Sequence, residues 1–406
     1  MKDSKKRNIF TTAGKVRISR TRFFNTVTKE YIYPLDEELD ITKSLVTKAL
    51  AKNLSLINIF TAFDHGQKIV KDLLQLDIPK KILQTVSYNI GTKLTEYFQK
   101  DITTEEQISL FEKKPVDVQY FLTDGGQTPL LEKIDKKSVN KSEGSDKRGK
   151  KPNKKGPKNE KKYREAKVGL FFSSKDILKI NTKNNVERTE IKNKRFVISL
   201  HHGLEHFEKT VRKASLILGA SQAKTIVFLS DGAEWCKTIQ NKVFPNAVRI
   251  LDWYHAMEHL WGVAKKFFGE SAEKEFTLWA KPLEELLWNG QIHLALTMIM
   301  DTIKSTNKNT DALFNLYHYF KSNEQAMKYK VFRENGYFIG SGSIESAIKY
   351  IMTTRFKMTG CHWRRDNAEA LMWLRAKYFE DRWDEFWGKM KYRNFMQGED
   401  IYKLAA

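Results

Sequence analysis

The sequence predicts a mixed α/β chain with its strands early and its second half helical. Three observations carry this. Runs rich in Val, Ile, Phe and Tyr lie at 116–123, 163–173, 195–200, 224–230 and 247–251. Helical spacing fills 204–218 and 235–243 between the later runs, and from 254 to about 330 it is unbroken. The order is three strands, helix, strand, helix, strand, helical block. At 406 residues the chain is long enough for two or three domains.

Residues 1–34 are basic and interleaved with Phe and Tyr (RISRTRFFNTVTKEYIY), without clear periodicity, and read as a flexible arm that orders on a partner. Residues 35–110 turn helical. KIVKDLLQL places Ile69, Leu73, Leu74 and Leu76 near one stripe, Asp77 before Pro79 reads as a cap and first turn, and Ile82, Val86 and Ile90 follow at spacing four. Two helices about a tight LDIP connection fit a DNA-binding helix-turn-helix or a plain helical hairpin. The first half of a core domain follows at 111–253, then a helical insertion at 254–335. C-terminal helices at 336–395 return to the core domain, and 396–406 is a tail.

Charge narrows the partner. The balance of 71 Lys and Arg against 49 Asp and Glu leaves +22, which points to a polyanion. Segment 133–162 carries 13 Lys and Arg against 4 Asp and Glu and almost nothing apolar, so it reads as a disordered loop suited to phosphate contact through Lys147, Arg148, Lys150, Lys151, Lys154 and Lys155. No apolar run of about 18 residues appears, so no membrane span is expected. The two cysteines, Cys236 and Cys361, exclude a disulfide framework or a Cys-rich zinc module and fit a reducing cytoplasm.

Three acids hold the chemical interest. Asp124 closes VDVQYFLTD, Asp231 closes KTIVFLSD, and Glu345 opens the helix in GSGSIESAIKYIM. Each has a structural reading: Asp124 before Gly125-Gly126 as a turn residue, Asp231 as a helix cap, Glu345 as a first-turn acid favoured by the helix dipole. Capping alone does not account for acids at the ends of the first and fourth strands and at the start of a late helix. Hard carboxylate oxygens converging from three elements suit two Mg²⁺ ions, with Mn²⁺ able to substitute, and hence phosphodiester chemistry.

Two further groups stand out. Asp252 and His255 share a helix face, so that Asp252 is placed to orient the imidazole, although an N-cap aspartate before a half-buried His is equally consistent. The HEXXH pattern of a zinc helix is excluded because Ala256, not Glu, follows His255. In RFKMTGCHWRRDNAEA, Arg355, Lys357, Arg364 and Arg365 surround Trp363, a set able to grip a backbone and stack on a base, or, for the Trp, to join the core. The cluster His201, His202 and His206 reads as structural.

TDGGQTPLLE, YREAKVGLFF, FLSDGAEW, RILDWYHAMEHLW, GSGSIESAIKY and RFKMTGCHWRRDNAEALMWLRA, with RWDEFW, resemble bacterial insertion-sequence DDE transposases of the Mutator-like superfamily. The likeness runs from about residue 35 to 387, and DWYH followed by GSGSIES is its specific part. It implies an RNase H-like (retroviral-integrase-like) core with an all-α insertion between the second and third acids, 114 positions apart here. It also implies that Asp124, Asp231 and Glu345 are the catalytic and metal-holding triad, with Asp252 and His255 as accessory residues. The expected partners are double-stranded DNA, as element ends and target, and further copies of the chain in the DNA complex. Some relatives carry an N-terminal zinc ribbon; this chain has no Cys before position 236. A nuclease that cuts without joining and a non-catalytic DNA-binding protein remain the alternatives.

Overall fold

The N-terminal residues build a sheet, not an arm. In the computed structural model, which describes residues 3–41, 44–101, 116–133, 159–181, 187–201, 203–340, 342–390 and 392, β1 (Asp3–Thr11) and β2 (Gly14–Phe24) form an antiparallel hairpin with β3 (Tyr31–Ile32) on its edge. Thr12 and Ala13 make the two-residue turn, and Gly14 supplies the positive φ of +122° beside it. Ile9 is buried, and the hairpin is fastened by Arg7 and Arg20, which both pair with the buried Asp36. The basic residues that suggested a free arm are partly consumed in that anchor.

Helix α1 (Pro34–Glu38) leads into α2 (Lys48–Phe60), α3 (Phe63–Leu74) and α4 (Lys80–Gln99). Helix α3 stops at Gln75 in the left-handed region, and α4 starts after Pro79 without a side-chain cap, so Asp77 does not cap it. Leu83, Val86, Ile90, Leu94 and Phe98 of α4 are buried. Helix α4 packs against α2 and α3 and also against the C-terminal helix at Arg365–Phe379.

Five strands make the main sheet: β4 (Val118–Lys133), β5 (Asn159–Ser173), β8 (Arg195–Ser199), β9 (Thr225–Ser230) and β10 (Val248–Leu251). A separate hairpin, β6 (Ile177–Asn181) with β7 (Glu187–Ile191), intervenes. The order across the sheet is β10-β9-β4-β5-β8; β10 and β9 run parallel to β4, whereas β5 is antiparallel to both β4 and β8. Strand β4 does not end at Asp124. It continues through Gly125 and Gly126 because β5 pairs with it as far as Lys133↔Asn159. These glycines allow close approach and make no turn: a Cβ on Gly126 would stand 2.7 Å from Met352 Cε. The same pairing places residues 159–162 in a strand, against the expectation of disorder there; 134–158 lie outside the described residues.

Helices α5 (Glu205–Ile217) and α6 (Glu234–Val243) connect the strands as expected from their spacing. The helical block follows: α7 (Trp253–Phe268), α8 (Glu273–Trp288), α9 (Ile292–Ser305), α10 (Asp311–Asn323) and α11 (Tyr329–Glu334). Its exit meets its entry, since Trp253 N–H donates to Ile339 O at 2.8 Å. Helix α12 (Gly342–Ile348) runs through a π-turn at Lys349–Thr353 into α13 (Thr354–Phe356), followed by α14 (Arg365–Phe379) and α15 (Trp383–Lys389). Helix α14 is buried on nearly every side and crosses α4 closely: a Cβ on Gly91 would meet the Ala370 carbonyl oxygen at 1.9 Å. No helix among the described residues is long and apolar enough to cross a membrane.

Candidate active site

The parallel pairing of β4 with β9 ends at Thr123↔Ser230, and the next residue on each strand is an acid. Asp124, within β4, and Asp231, just past the end of β9, therefore stand side by side. Strand character holds up to this point because Tyr120, Phe121 and Leu122 on β4 and Val227, Phe228 and Leu229 on β9 are buried apolar residues. Helix α12 brings the third acid. Its inner side and the following π-turn rest on β4, with Ile348 and Met352 over Gly126, and Glu345 stands exposed in its first turn.

The electrostatics show that the three acids share one neighbourhood. Asp124 is half-buried and its carboxyl pKa is pushed up to about 6. Burial is the main cause; the Gly125 N–H bond to Oδ1 (2.6 Å) opposes it, the Asp231 charge adds to it, His255 opposes it, and Glu345 adds to it. Asp231 is fixed by its surroundings. Its Oδ1 accepts from Ala233 N–H at 2.9 Å and from the Cys236 thiol at 3.5 Å, and its backbone carbonyl accepts from the Tyr319 hydroxyl at 2.8 Å. Burial and the Asp231 charge push both the Cys236 thiol and the Tyr319 phenol up, which keeps them neutral donors. Asp231 thus performs a cap-like local role as well as facing Asp124.

Asp252 is 2% exposed and is the N-cap of α7, accepting from the backbone N–H groups of Tyr254 (3.1 Å) and His255 (3.3 Å). It caps the helix, which is the second of the two readings that the sequence left open. The His255 ring meets His259 one turn on, with Nε2 to Nε2 at 3.3 Å, and Glu258 at 3.7 Å. His259 packs on the Tyr319 ring, and burial and the proximity of His255 lower its pKa. His259 and Tyr319 were not singled out in the sequence as site residues. The first carried a signal, its i,i+4 spacing from His255; the second, brought from the helical block, carried none.

The basic cluster is divided. Arg355 is fully buried: its Nε donates to Asn58 O at 3.0 Å and its guanidinium lies 4.8 Å from the Trp363 ring. Trp363 is 4% exposed and donates to Phe356 O at 3.3 Å, so it is a core residue and no base-stacking platform. Arg365 bridges Glu132 (2.7 Å) and Leu200 O (2.9 Å). These three are internal ties because the surrounding aromatics offer more burial than the surface does. Lys357 and Arg364 are exposed. Lys147, Arg148, Lys150, Lys151, Lys154 and Lys155 lie outside the described residues.

No protein-family model matches the chain. No curated protein matches it by sequence. Among solved structures it is similar to the Drosophila P element transposase strand transfer complex, over 84% of this chain and 83% of that one, at 8% identity and a TM-score of 0.24, a likeness too loose to bear on the argument.

Proposed function

We propose that the chain is a DDE transposase with an RNase H-like core, which cuts DNA at the ends of an insertion sequence and joins the freed ends to target DNA. The observation that carries this reading is the meeting of Asp124, Asp231 and Glu345: Asp124 on β4 feels the charges of both Asp231, just past the end of β9, and Glu345, on a helix 114 positions after Asp231. The strand order and directions support the fold part of the reading, and the helical block lies between the second and third acids as the resemblance implies.

The donor set fits Mg²⁺. It consists of hard carboxylate oxygens, and a divalent cation would offset the burial that chiefly lifts Asp124 and the neighbouring acid charges that add to it. Asp124 and Asp231 would hold the ions jointly and Glu345 would complete the set. When bound, Mg²⁺ supplies Lewis-acid activation and neutralises the charge that spreads over a reacting phosphodiester. The protein's own residues contribute placement. Asp231 is held by Ala233 N–H, Cys236 and the Tyr319 contact to its backbone, so its carboxylate does not need to reorganise. Asp252 fixes the start of α7 and thereby aims His255 and His259 at the acids, where the imidazole of His255 can carry a proton or contact phosphate. Exposed Lys357 and Arg364 are available to phosphates.

The test is a Mg²⁺- or Mn²⁺-dependent cleavage and strand-transfer assay on DNA that flanks the gene, with a precut end as second substrate. Nicked and joined products that disappear with Asp231→Asn support the transposase. Cutting of the first substrate without joining of the second assigns a nuclease, and salt-sensitive binding without product assigns a DNA-binding protein.

A further inference from the structure

We propose that His201, His206 and Glu369 form a second metal site, specific for a borderline divalent ion of the zinc class, which ties the end of β8 and the start of α5 to α14. Each of the three offers a ligand atom, and these atoms all lie within 4.8 Å of one another. The residues come from separate elements: His201 follows β8, His206 is in the first turn of α5, and Glu369 is in the first half of α14. Ligand atoms on one Zn²⁺ stand about 3.4 Å apart when each is about 2.0–2.1 Å from the ion, so modest side-chain rotations close the set.

Glu369 supplies the independent indication. It is 1% exposed, and its Oε2 accepts from Leu200 N–H at 2.8 Å and lies 3.5 Å from His201 Nε2. Its Oε1 is buried with no hydrogen-bond partner among the described residues. The Trp373 indole N–H lies beside this carboxyl and favours its charged form, but makes no hydrogen bond of normal geometry with that oxygen. Arg365, the nearest arginine, is engaged by Glu132 and Leu200 O. Burial pushes the Glu369 pKa up to about 7, so a proton or a cation neutralises it, and a cation would also satisfy the orphaned oxygen.

The histidines do not supply that charge together. Their rings are stacked with centroids 4.0 Å apart and 26° between planes, an arrangement in which two imidazolium charges repel. His206 Nδ1 is 3.0 Å from Ser199 Oγ, which sets the ring and leaves Nε2 as the coordinating nitrogen. Two imidazoles and one carboxylate select a zinc-like ion over Mg²⁺, which favours an all-oxygen set. Three protein ligands leave a fourth position for water. The site is distinct from the three acids and does not depend on the reading given to them.

The experiment uses the full chain, stripped with EDTA and desalted, titrated with Co²⁺ and followed by its visible ligand-field absorption, then with Zn²⁺ as competitor. We expect one saturable Co²⁺, displaced by Zn²⁺, with a Zn²⁺-dependent rise in Tm. The signal persists in the Asp231→Asn/His259→Ala protein, which disables the other place where acids and imidazoles meet. It weakens at least tenfold in Glu369→Gln and in His206→Gln. Glu369→Gln keeps an acceptor toward Leu200 N–H, and circular dichroism reports whether the fold is intact. Absence of saturable binding by the parent protein overturns the proposal whatever the variants do. So does equal affinity in folded Glu369→Gln, or loss of the signal in the Asp231→Asn/His259→Ala protein.

Discussion

The acids at the end of β9 and the middle of β4, and the arginines and tryptophan that follow α12, were both conspicuous in the sequence as functional groups. The fold treats them in opposite ways. Asp231 follows the apolar strand β9, Asp124 lies within β4 where its pairing with β9 stops, and Glu345 is in the first turn of α12, so the backbone carries all three into one neighbourhood. Arg355 and Trp363 are drawn inward, as is Arg375 of α14, which the sequence did not mark out; it donates from Nε to Ile351 O at 2.8 Å and burial lowers its pKa to about 9. A charge beside aromatics has two destinations, and spacing along the chain does not choose between them. The choice depends on whether backbone carbonyls are available inside, as those of Asn58 and Ile351 are.

The largest effect that distinguishes the two regions is catalytic. Asp124→Asn, Asp231→Asn or Glu345→Gln should each reduce cleavage by about 10²–10³-fold or more while end binding, measured by electrophoretic mobility shift, changes little. Retained cleavage by any one of them removes that residue from the triad. The buried region should respond in stability instead. Trp363→Ala should cost about 3–5 kcal/mol in denaturant unfolding, and a Trp363→Ala protein that keeps its stability but loses DNA binding would reverse the assignment.

A titration sharpens the acid side. The folded-state pKa of Asp124, about 6, lies above the ordinary aspartate value, so the metal-free protein binds the extra proton between about 4 and 6 and loses stability as pH rises through that window. Asp124→Asn removes the effect. The metal-free variant should therefore melt above the parent at pH 7, and the gap should close below pH 4. Mg²⁺ affinity of the parent should fall as pH drops through about 6, because the cation competes with that proton. A pH-independent difference in Tm would show that Asp124 does not titrate there.

The smallest effect belongs to the exposed cations. Lys357→Ala and Arg364→Ala should each lower the slope of log K against log salt by about 1 without changing sequence preference. An unchanged slope places DNA elsewhere on the surface.

The order of strands and helices could be read from the sequence because five apolar runs differ in period from the helices around them. Asp231 was legible for the same reason, since it follows the last residue of β9, whereas Asp124 was read as a strand end and lies within β4. Other features depended on partners remote in the chain. Strand β4 passes through two glycines only because β5 pairs with it, and Gly126 admits Met352 from a segment more than 200 residues later. The hairpin β1–β2 was obscured by its charge: Arg7 and Arg20 look like solvent-facing residues until Asp36 is placed between them. Tyr319 is supplied to Asp231 by the helical block, and no local pattern announces it.

The clasp between the two ends of the core has a consequence for how the chain is made. Helix α4 packs against α14 at Gly91 and Ala370, and Phe98 stacks on Trp373 with ring centroids 4.5 Å apart. Tyr392 closes the join, its hydroxyl 2.8 Å from Ser44 Oγ and its N–H on Asp40 Oδ2 at 2.8 Å. During synthesis, α4 leaves the ribosome tens of seconds before its partner at about 5–20 residues per second. Through that interval the side of α4 that bears Leu83, Val86, Ile90 and Leu94 has no α14 to cover it. Completion of the packing around α4 is thus timed by the translation of α14.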